Sequence, residues 1–307
     1  MNKNLNSWTD KTHHPADLLL DHWKEIKTRW GKPKEFSISF LPELDKAIWG
    51  LKRRTLTVVA GRPSMGKSTL LLNMAYSFAE EGKKVYFFSL EMSKEECLER
   101  LICNACSIEN SCLHTGKIGN GKYENEIKCF GDTLEKMDLM IVESWGRTFD
   151  EILQIIDNYE KPDAIFIDYV NMVKSGNLSQ KGAIDEYIKD LRNLALDKNF
   201  CAVLGAQINR DIYKAQDMSK EVPVPNIWHL KDSGNLEQVS DLVMIVHWPH
   251  YYRFTKDEGI DDEKEFLIKV AKNRSGRTGI FVGDFLPQYY RITSREKAPE
   301  LVDRGID

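Results

Sequence analysis

The sequence contains no apolar run of the roughly 20 residues that a membrane-spanning helix requires. Residues 1–14 are polar and lack the apolar core of a secretory signal peptide. The formal net charge is −4, which excludes a polycation that coats nucleic acid over its whole surface, so any contact with a phosphate backbone would come from local loops. Internal repeats and low-complexity tracts are also missing. We therefore expect a globular cytoplasmic protein that has no membrane partner.

Neither disulfide bonds nor zinc sites are favoured by the cysteine pattern. The six cysteines are irregularly spaced, and a chain expected in the cytoplasm keeps its thiols reduced. Cys103 and Cys106 have a C-x-x-C spacing with Cys112 nearby, but they lie on a helix-like run, 95–107, and no second C-x-x-C pair follows. A zinc site is the alternative to the reduced, partly buried thiols that the pattern favours.

The segment that stands out is a glycine-rich loop, which comprises Gly61, Arg62, Pro63, Ser64, Met65, Gly66, Lys67, Ser68 and Thr69. It follows an apolar run and precedes a helix-like run, which is the strand, loop and helix order of a P-loop. Glycines let backbone N–H groups surround phosphate oxygens, and the following helix directs its positive end at them. Lys67 would neutralise the outer phosphates of ATP, and Ser68 would offer its hydroxyl to Mg²⁺. A purely structural glycine-rich turn is the alternative.

Apolar strand patterns alternate with helix-like segments along most of the chain. The strand patterns cover 36–40, 56–60, 84–90, 139–142, 164–167, 201–206 and 241–246, and a hairpin of 266–272 and 278–284 follows. This alternation predicts an α/β fold, in which a mostly parallel central sheet is covered by helices on both faces. We place a core domain at 35–295, an amino-terminal extension at 1–34 and a mobile charged tail at 296–307.

The amino-terminal extension contains one predicted amphipathic helix, at 16–30. Leu19, Trp23, Ile26 and Trp30 recur at helical spacing, and a glycine and a proline then end the pattern. Such an apolar stripe packs on its own domain or docks onto a neighbouring molecule, and the sequence leaves both possibilities open.

Three polar residues lie just beyond the ends of predicted strands, where parallel strands border a ligand crevice. Asp168 follows four apolar residues, which is the Walker B pattern of a carboxylate that holds Mg²⁺ or its water shell. Glu91 is placed to act as the general base for the water that attacks the γ-phosphate. Its alternative role is a carboxylate at a helix N-terminus, with Ser93 as the cap. Gln207 could sense the γ-phosphate.

Two cations stand at the turn of the predicted hairpin. Lys272 and Arg274 are two positions apart, so on an extended chain their side chains point the same way. Phosphoryl transfer needs positive charge on the transferred phosphate, and an arginine finger from a neighbouring molecule often supplies it. Two solvated turn cations are the alternative.

A long polar segment, 212–233, contains three lysines and two prolines. A loop of this length inside a compact domain is commonly functional. A disordered surface excursion is the alternative.

Six motifs follow one another in the chain, and they are AGRPSMGKS at 60–68, SLEMS at 89–93, IDY at 167–169, QINR at 207–210, LKDSG at 230–234 with Glu237 and Gln238 after it, and KNRSG at 272–276. In these motifs and in their order the chain, from 36 to 292, resembles the motor domain of the DnaB-like hexameric replicative helicases. The resemblance implies a RecA-like P-loop NTPase core preceded by a short linker helix. It also implies an ATP- and Mg²⁺-dependent homo-hexamer that unwinds DNA with 5′–3′ polarity.

The resemblance assigns a role to each matching polar residue. Glu91 would be the catalytic base, Asp168 the Walker B acid and Gln207 the γ-phosphate sensor. Lys272 and Arg274 would act in trans, on the nucleotide of the next subunit in the ring.

The resemblance also implies a DNA-binding loop, formed by Lys231, Asp232, Ser233 and Gly234, that holds the phosphates of single-stranded DNA inside the ring. The family usually has Arg-Glu where this chain has Lys231 and Asp232, which keeps the charges without the bidentate geometry of arginine. A primase or a helicase loader would be a partner.

Two further departures bear on function. Where the family often has a charged stretch, residues 248–252 are WPHYY. Residues 1–34 leave room only for a linker-like helix before the core, so we expect either a minimal helicase or an excised domain. A recombinase that binds single strands with ATP, and a nucleotide-switched loader, are the alternatives to a helicase. The intact hydrolytic positions disfavour the loader.

Overall fold

The structure is a computed structural model that describes residues 14–29, 34–117, 121, 123–169, 180–208, 224–230, 234–253 and 263–295. The chain divides into two compact units between Lys34 and Glu35. None of the helices in the described ranges is long and apolar enough to cross a membrane. The predicted tail at 296–307 lies outside these ranges.

The amino-terminal unit contains helix α1 (Pro15–Arg29), which agrees with the predicted helix to within one residue at each end. Leu19 and Trp23 of its apolar stripe are 67% and 52% exposed, and Leu18 and Ile26 are also exposed. Trp30, the last residue of the predicted stripe, lies outside the described residues. Packing of this stripe on its own domain and docking onto a neighbouring molecule both stay predictions.

The second unit is built on one sheet, whose strands are β1 (Thr55–Gly61), β2 (Val85–Ser89), β3 (Leu139–Glu143), β4 (Ala164–Asp168), β5 (Cys201–Gln207), β6 (Leu242–His247), β7 (Glu265–Asn273), β8 (Gly279–Leu286) and β9 (Arg291–Ser294). The strand order is β3-β2-β4-β5-β1-β6-β7-β8-β9. All pairings from β3 to β6 are parallel, and β7, β8 and β9 add antiparallel strands. Every residue of β2 and β4 is buried, as expected for parallel strands covered on both faces. The predicted mostly parallel α/β fold is confirmed.

The helices of this unit are α2 (Pro42–Ile48), α3 (Lys67–Glu80), α4 (Lys94–Cys106), α5 (Asn110–His114), α6 (Glu124–Leu134), α7 (Phe149–Asn158), α8 (Gln180–Lys198), α9 (Gly234–Val239) and α10 (His250–Arg253). Alternate residues of a strand point to opposite faces of the sheet, and two apolar clusters result. Val59 belongs to the cluster under α3 and α4, whereas Val58 belongs to the cluster under α7 and α8. The sheet is therefore the middle of three layers.

One predicted strand is wrong, and one strand was not predicted. Only Phe36 of the segment 36–40 pairs as a strand residue, in a single bridge with Leu51. Asp45 of α2 accepts hydrogen bonds from the Ile38 backbone N–H, at 2.8 Å, and from the Ser37 hydroxyl, at 2.9 Å, which fold the segment onto that helix. Strand β9 lies at the end of the core domain, where a short polar segment gives little strand pattern.

The carboxyl ends of four parallel strands meet at one edge of the sheet. Ser89 at the end of β2 is level with Asp168 at the end of β4, and Gly61 at the end of β1 is level with Gln207 at the end of β5. Open α/β sheets bind their ligands at this edge.

The end of β7 lies at the opposite edge, because β7 runs antiparallel to β6. Leu242, the first residue of β6, is level with Thr57 near the start of β1 and with Asn273 at the end of β7. The step from Thr57 to Gly61 corresponds to about 13 Å along a strand. Residues that follow Asn273 are therefore remote from the carboxyl edge.

Candidate functional site

The loop between β1 and α3 has the backbone of a phosphate cradle. Gly66 is the N-cap of α3 and has a φ of 77°, in the left-handed region that favours glycine. A Cβ atom at Gly66 would also lie 2.9 Å from the Phe266 ring, and one at Gly61 would lie 2.6 Å from Val246. The two glycines of the motif therefore let the loop pack against β6 and β7 while the N-terminus of α3 faces the space above the loop.

That space is a cleft of about 540 Å³. Its lining residues are Gly61, Arg62, Pro63, Ser64, Gly66, Lys67, Ser68, Thr69, Glu91, Met92, Glu96, Arg100, Tyr169, Gln207, Trp248, Phe285, Pro287 and Tyr290. Of the predicted nucleotide-binding residues, Met65 does not line the cleft, since its side chain is buried in the apolar core. Met65 was grouped with the others because it lies inside the motif, but the motif fixes the path of the backbone and not the direction of each side chain.

Lys67 and Asp168 form a buried ion pair beside the cleft. Lys67 Nζ lies 2.5 Å from Asp168 Oδ1 and 4.0 Å from the centre of the Tyr169 ring. Asp168 is fully buried, and its Oδ2 has no hydrogen-bond partner among the described residues. Gly205 makes room for this carboxylate, because a Cβ atom there would lie 3.0 Å from Asp168 Oδ1. A buried, unpartnered carboxylate oxygen and a hydroxyl on Ser68 form a donor set that fits Mg²⁺ or its water shell.

Glu91 lies on the turn between β2 and α4, where it is exposed and lines the cleft. The N-terminus of α4 is capped by a different carboxylate, since Ser93 and Glu96 form a reciprocal capping box. The alternative role for Glu91 at the helix N-terminus is thus filled by Glu96. Burial, and then the negative charges of Glu91 and Asp168, raise the pKa of Tyr169. The role of Glu91 as a base stays a prediction.

Gln207 also reaches the cleft, from the end of β5. The next residue, Ile208, forms an isolated antiparallel bridge with Leu230. Leu230 directly precedes the predicted DNA-binding loop. The residue proposed to sense the γ-phosphate is therefore one position from a backbone contact with the start of that loop.

An aromatic wall lines part of the cleft, and it was not predicted from the sequence. It consists of Trp248, Phe285 and Tyr290. Trp248 meets Phe285 edge to face with ring centres 5.1 Å apart, and the Arg100 guanidinium lies 4.6 Å from the centre of the Tyr290 ring. Trp248 immediately follows β6, so its position after a parallel strand is a signal that could have placed it at the cleft.

Lys272 and Arg274 do not line the cleft. Lys272 Nζ donates to the Ser240 carbonyl at 2.8 Å and to the Glu237 carbonyl, at the carboxyl end of α9. Arg274 donates to the Gln238 carbonyl at 2.5 Å, so the two cations approach the same end of one helix. Burial, and then the charge of Arg274, lower the pKa of Lys272.

The predicted DNA-binding loop is described only in part. Lys231, Asp232 and Ser233 lie outside the described residues, and Gly234 is the first residue of α9. Their contact with DNA stays a prediction.

Among the residues that the structure describes, no cysteine lines the cleft. Cys97 and Cys103 are buried, and burial raises the pKa of each thiol to about 11. Both are therefore protonated at neutral pH, because a thiol is neutral below its pKa. This fits the reduced, partly buried thiols that the sequence favoured.

Known proteins resemble this chain over most of its length. The replicative DNA helicase DnaB of Rickettsia felis is 28% identical over 279 residues, which cover 81% of this chain and 54% of that protein. DnaB of Helicobacter pylori is 27% identical, with 90% of this chain and 63% of that protein covered. DnaC of Bacillus subtilis, also a replicative DNA helicase, is 26% identical, with 94% and 63% covered. The chain spans between about half and two thirds of the length of these relatives.

Solved structures establish the fold. One of them, an isolated ATPase domain, has a TM-score of 0.80 and 24% identity, with 93% of this chain and 100% of that chain covered. A DnaB-like replicative helicase, solved in a study of its interactions with primase, has a TM-score of 0.78 and 24% identity, with 93% and 68% covered. The core is therefore RecA-like, as in these proteins. The family model of the DnaB-like helicase C-terminal domain matches residues 38–294, most of the chain, and this protein belongs to that family.

Proposed function

We propose that this chain is the ATP-hydrolysing motor of a DNA helicase, which assembles as a homo-hexameric ring and translocates 5′–3′ on single-stranded DNA. Residues 35–295 form the motor domain in this proposal. One observation carries it: the phosphate cradle and the cation pair of the family motifs lie at opposite edges of one sheet. A subunit with this arrangement can complete a nucleotide site only on a neighbour.

The residues of one subunit bind ATP and activate the attacking water. Backbone N–H groups at the start of α3 and the Lys67 ammonium hold the β- and γ-phosphates. Ser68 and Asp168 would hold Mg²⁺, which neutralises phosphate charge when bound. Glu91 takes a proton from the attacking water, and its exposed place on the cleft wall leaves room for that water. Gln207 contacts the γ-phosphate and registers its loss.

The neighbouring subunit supplies the remaining positive charge. Arg274 follows β7 at the edge remote from the cleft, and the last residue of β7, Asn273, is already about 13 Å along the strands from Gly61. Its side chain is 43% exposed and is accessible to another molecule. A ring of identical subunits would place this edge of each subunit against the cleft of the next.

Single-stranded DNA is the proposed substrate of translocation, and the loop that ends at Gly234 would bind it. The bridge between Ile208 and Leu230 connects the start of that loop to Gln207, which supports a link between nucleotide state and DNA contact. A primase or a loader is the proposed further partner.

Single-stranded DNA is expected to raise the ATPase rate, and a coupling free energy of about 1–3 kcal/mol between the two sites would correspond to a factor of about 5 to 150. The measurement is steady-state phosphate release by assembled particles, with and without an oligonucleotide. The same preparation is then given a forked duplex, on which strand displacement is expected.

Equal ATPase rates with and without DNA would contradict the motor and favour a nucleotide-switched loader. Long filaments that do not displace a strand would favour a recombinase instead.

Trp248→Ala is expected to raise the KM for ATP about tenfold and to leave kcat nearly unchanged. The aromatic wall offers the nucleotide base a stacking surface, and losing about 1.4 kcal/mol of such binding is a tenfold change. Trp145→Ala is the matched control, because Trp145 is 69% exposed and does not line the cleft. An unchanged KM in Trp248→Ala would place the base elsewhere.

A further inference from the structure

Asp241 lies between α9 and β6 and bonds several groups at once. Its side chain is 16% exposed. Oδ1 accepts from Arg192 and from Arg274, each at 3.0 Å, and Oδ2 accepts from the Leu56 backbone N–H at 3.0 Å. The carboxylate therefore binds β1 through Leu56 and α8 through Arg192, and its Oδ1 also holds Arg274, the cation that we assign to the neighbouring nucleotide.

Arg274 donates three hydrogen bonds to one short segment, residues 238–241. Its backbone N–H donates to the Asp241 carbonyl at 2.9 Å, one terminal nitrogen donates to Asp241 Oδ1, and the other donates to the Gln238 carbonyl at 2.5 Å. A guanidinium carries five N–H donors, so further donors remain for a phosphate. These contacts restrict the direction of the side chain without covering it.

Asp241 also offsets repulsion among the cations of this edge. Lys272 and Arg274 approach the same carbonyl group of Gln238, at 3.4 and 2.5 Å, so two like charges share one small region. Arg192 adds a third positive charge through Asp241. Removal of the negative charge would leave these cations less well held, and the exposed one, Arg274, has the most freedom to leave.

We propose that Asp241 is a positioning residue for ATP hydrolysis, which aims Arg274 at the nucleotide of the next subunit and acts through Arg274 alone. This proposal rests on the proposed function, in which Arg274 works in trans. Asp241 and the carboxyl end of α9 together form the seat of Arg274. Helix α9 connects the loop that would bind DNA to this seat.

Asp241→Asn tests the seat, because it keeps the shape of the side chain and removes its charge. We expect the kcat of the DNA-stimulated ATPase to fall about 10²-fold, the loss that a misplacement of about 1 Å can cause. The KM for ATP should stay within about threefold, because the subunit's own cleft is at the other edge of the sheet. Arg192→Gln is the matched control, since it removes the structural partner of Asp241 and leaves the contact with Arg274. Its kcat should be close to that of the wild type.

A double variant separates positioning from a loss of folding. If Asp241 acts through Arg274, Asp241→Asn combined with Arg274→Ala hydrolyses ATP no more slowly than Arg274→Ala alone. A further loss in the double variant, or an equal loss of kcat in Arg192→Gln, would overturn the proposal. If Asp241→Asn fails to fold, Asp241→Glu keeps the charge but shifts it by one methylene group. A wild-type kcat in Asp241→Glu would then count against the seat.

Failure of this proposal is distinguishable from failure of the proposed function. An inactive Arg274→Ala together with a fully active Asp241→Asn would reject the seat and keep the motor. A fully active Arg274→Ala in assembled particles would reject the trans mechanism, and the seat with it.

Discussion

Arg274→Ala is expected to lower the ATPase kcat of assembled particles by about 10³- to 10⁵-fold, which is the range for loss of an arginine finger. ATP binding should persist, because Arg274 lies at the sheet edge opposite the cleft and touches none of its described walls. The measurements are steady-state phosphate release and equilibrium binding of ATP to the same particles. Arg277→Ala is the matched control, since Arg277 is an exposed cation in the same hairpin turn.

Mixed particles test the trans geometry directly. An Arg274→Ala subunit should silence the neighbour whose nucleotide it contacts, so wild-type activity should fall faster than the fraction of variant subunits. A linear decrease with dilution would contradict the assignment of Arg274 to a neighbouring site. The oligomeric state of each mixture must be the same for this comparison.

Glu91→Gln is expected to lower kcat by about 10²- to 10⁴-fold, the contribution of a positioned general base. The amide keeps the size of the side chain but cannot take a proton from water, so ATP should bind and remain intact. Single-turnover hydrolysis with bound ATP measures this separately from product release. Glu95→Gln serves as the control, because Glu95 is an exposed carboxylate in the first turn of α4 that does not line the cleft.

A Glu91→Gln variant that hydrolyses ATP at the wild-type rate would require another group to accept the proton. Among the residues that the structure describes, Glu96 is the other carboxylate on the cleft wall, but its side chain is occupied in the capping box of α4. That contact makes Glu96 the weaker candidate.

The parts of the site that depend on short sequence spacing could be predicted. A P-loop places its glycines, Lys67 and Ser68 by local backbone geometry, and residues such as Asp168 and Gln207 are located by the end of a strand. That the Met65 side chain is buried in the core could not be predicted from the motif, because the packing of one side chain depends on neighbours that are distant in the sequence. The strand assigned to 36–40 failed for a related reason. Phe36 and Ile38 are both buried, as alternation suggests, but Asp45 binds the segment between them.

Only Trp248 of the aromatic wall could be predicted from a local pattern, because it directly follows a parallel strand. Phe285 lies in β8 and Tyr290 precedes β9, and only the folded sheet brings them to the same cleft as Trp248. Likewise, the spacing of Lys272 and Arg274 indicated that they act together. That they lie away from their own subunit's cleft follows from the antiparallel direction of β7, which is a property of the topology.

Strand β7 is nine residues long, or about 30 Å, and it is paired along most of its length on both sides. It begins beneath the phosphate cradle, where Phe266 packs against Gly66, and it ends beside Lys272 and Arg274. In the proposed ring this strand would rigidly connect the cradle that binds one nucleotide to the cations that contact the next nucleotide. A shift of the cradle when one nucleotide binds would then move the cations toward or away from the next nucleotide. Hydrolysis at adjacent sites could thus be coordinated through this strand alone.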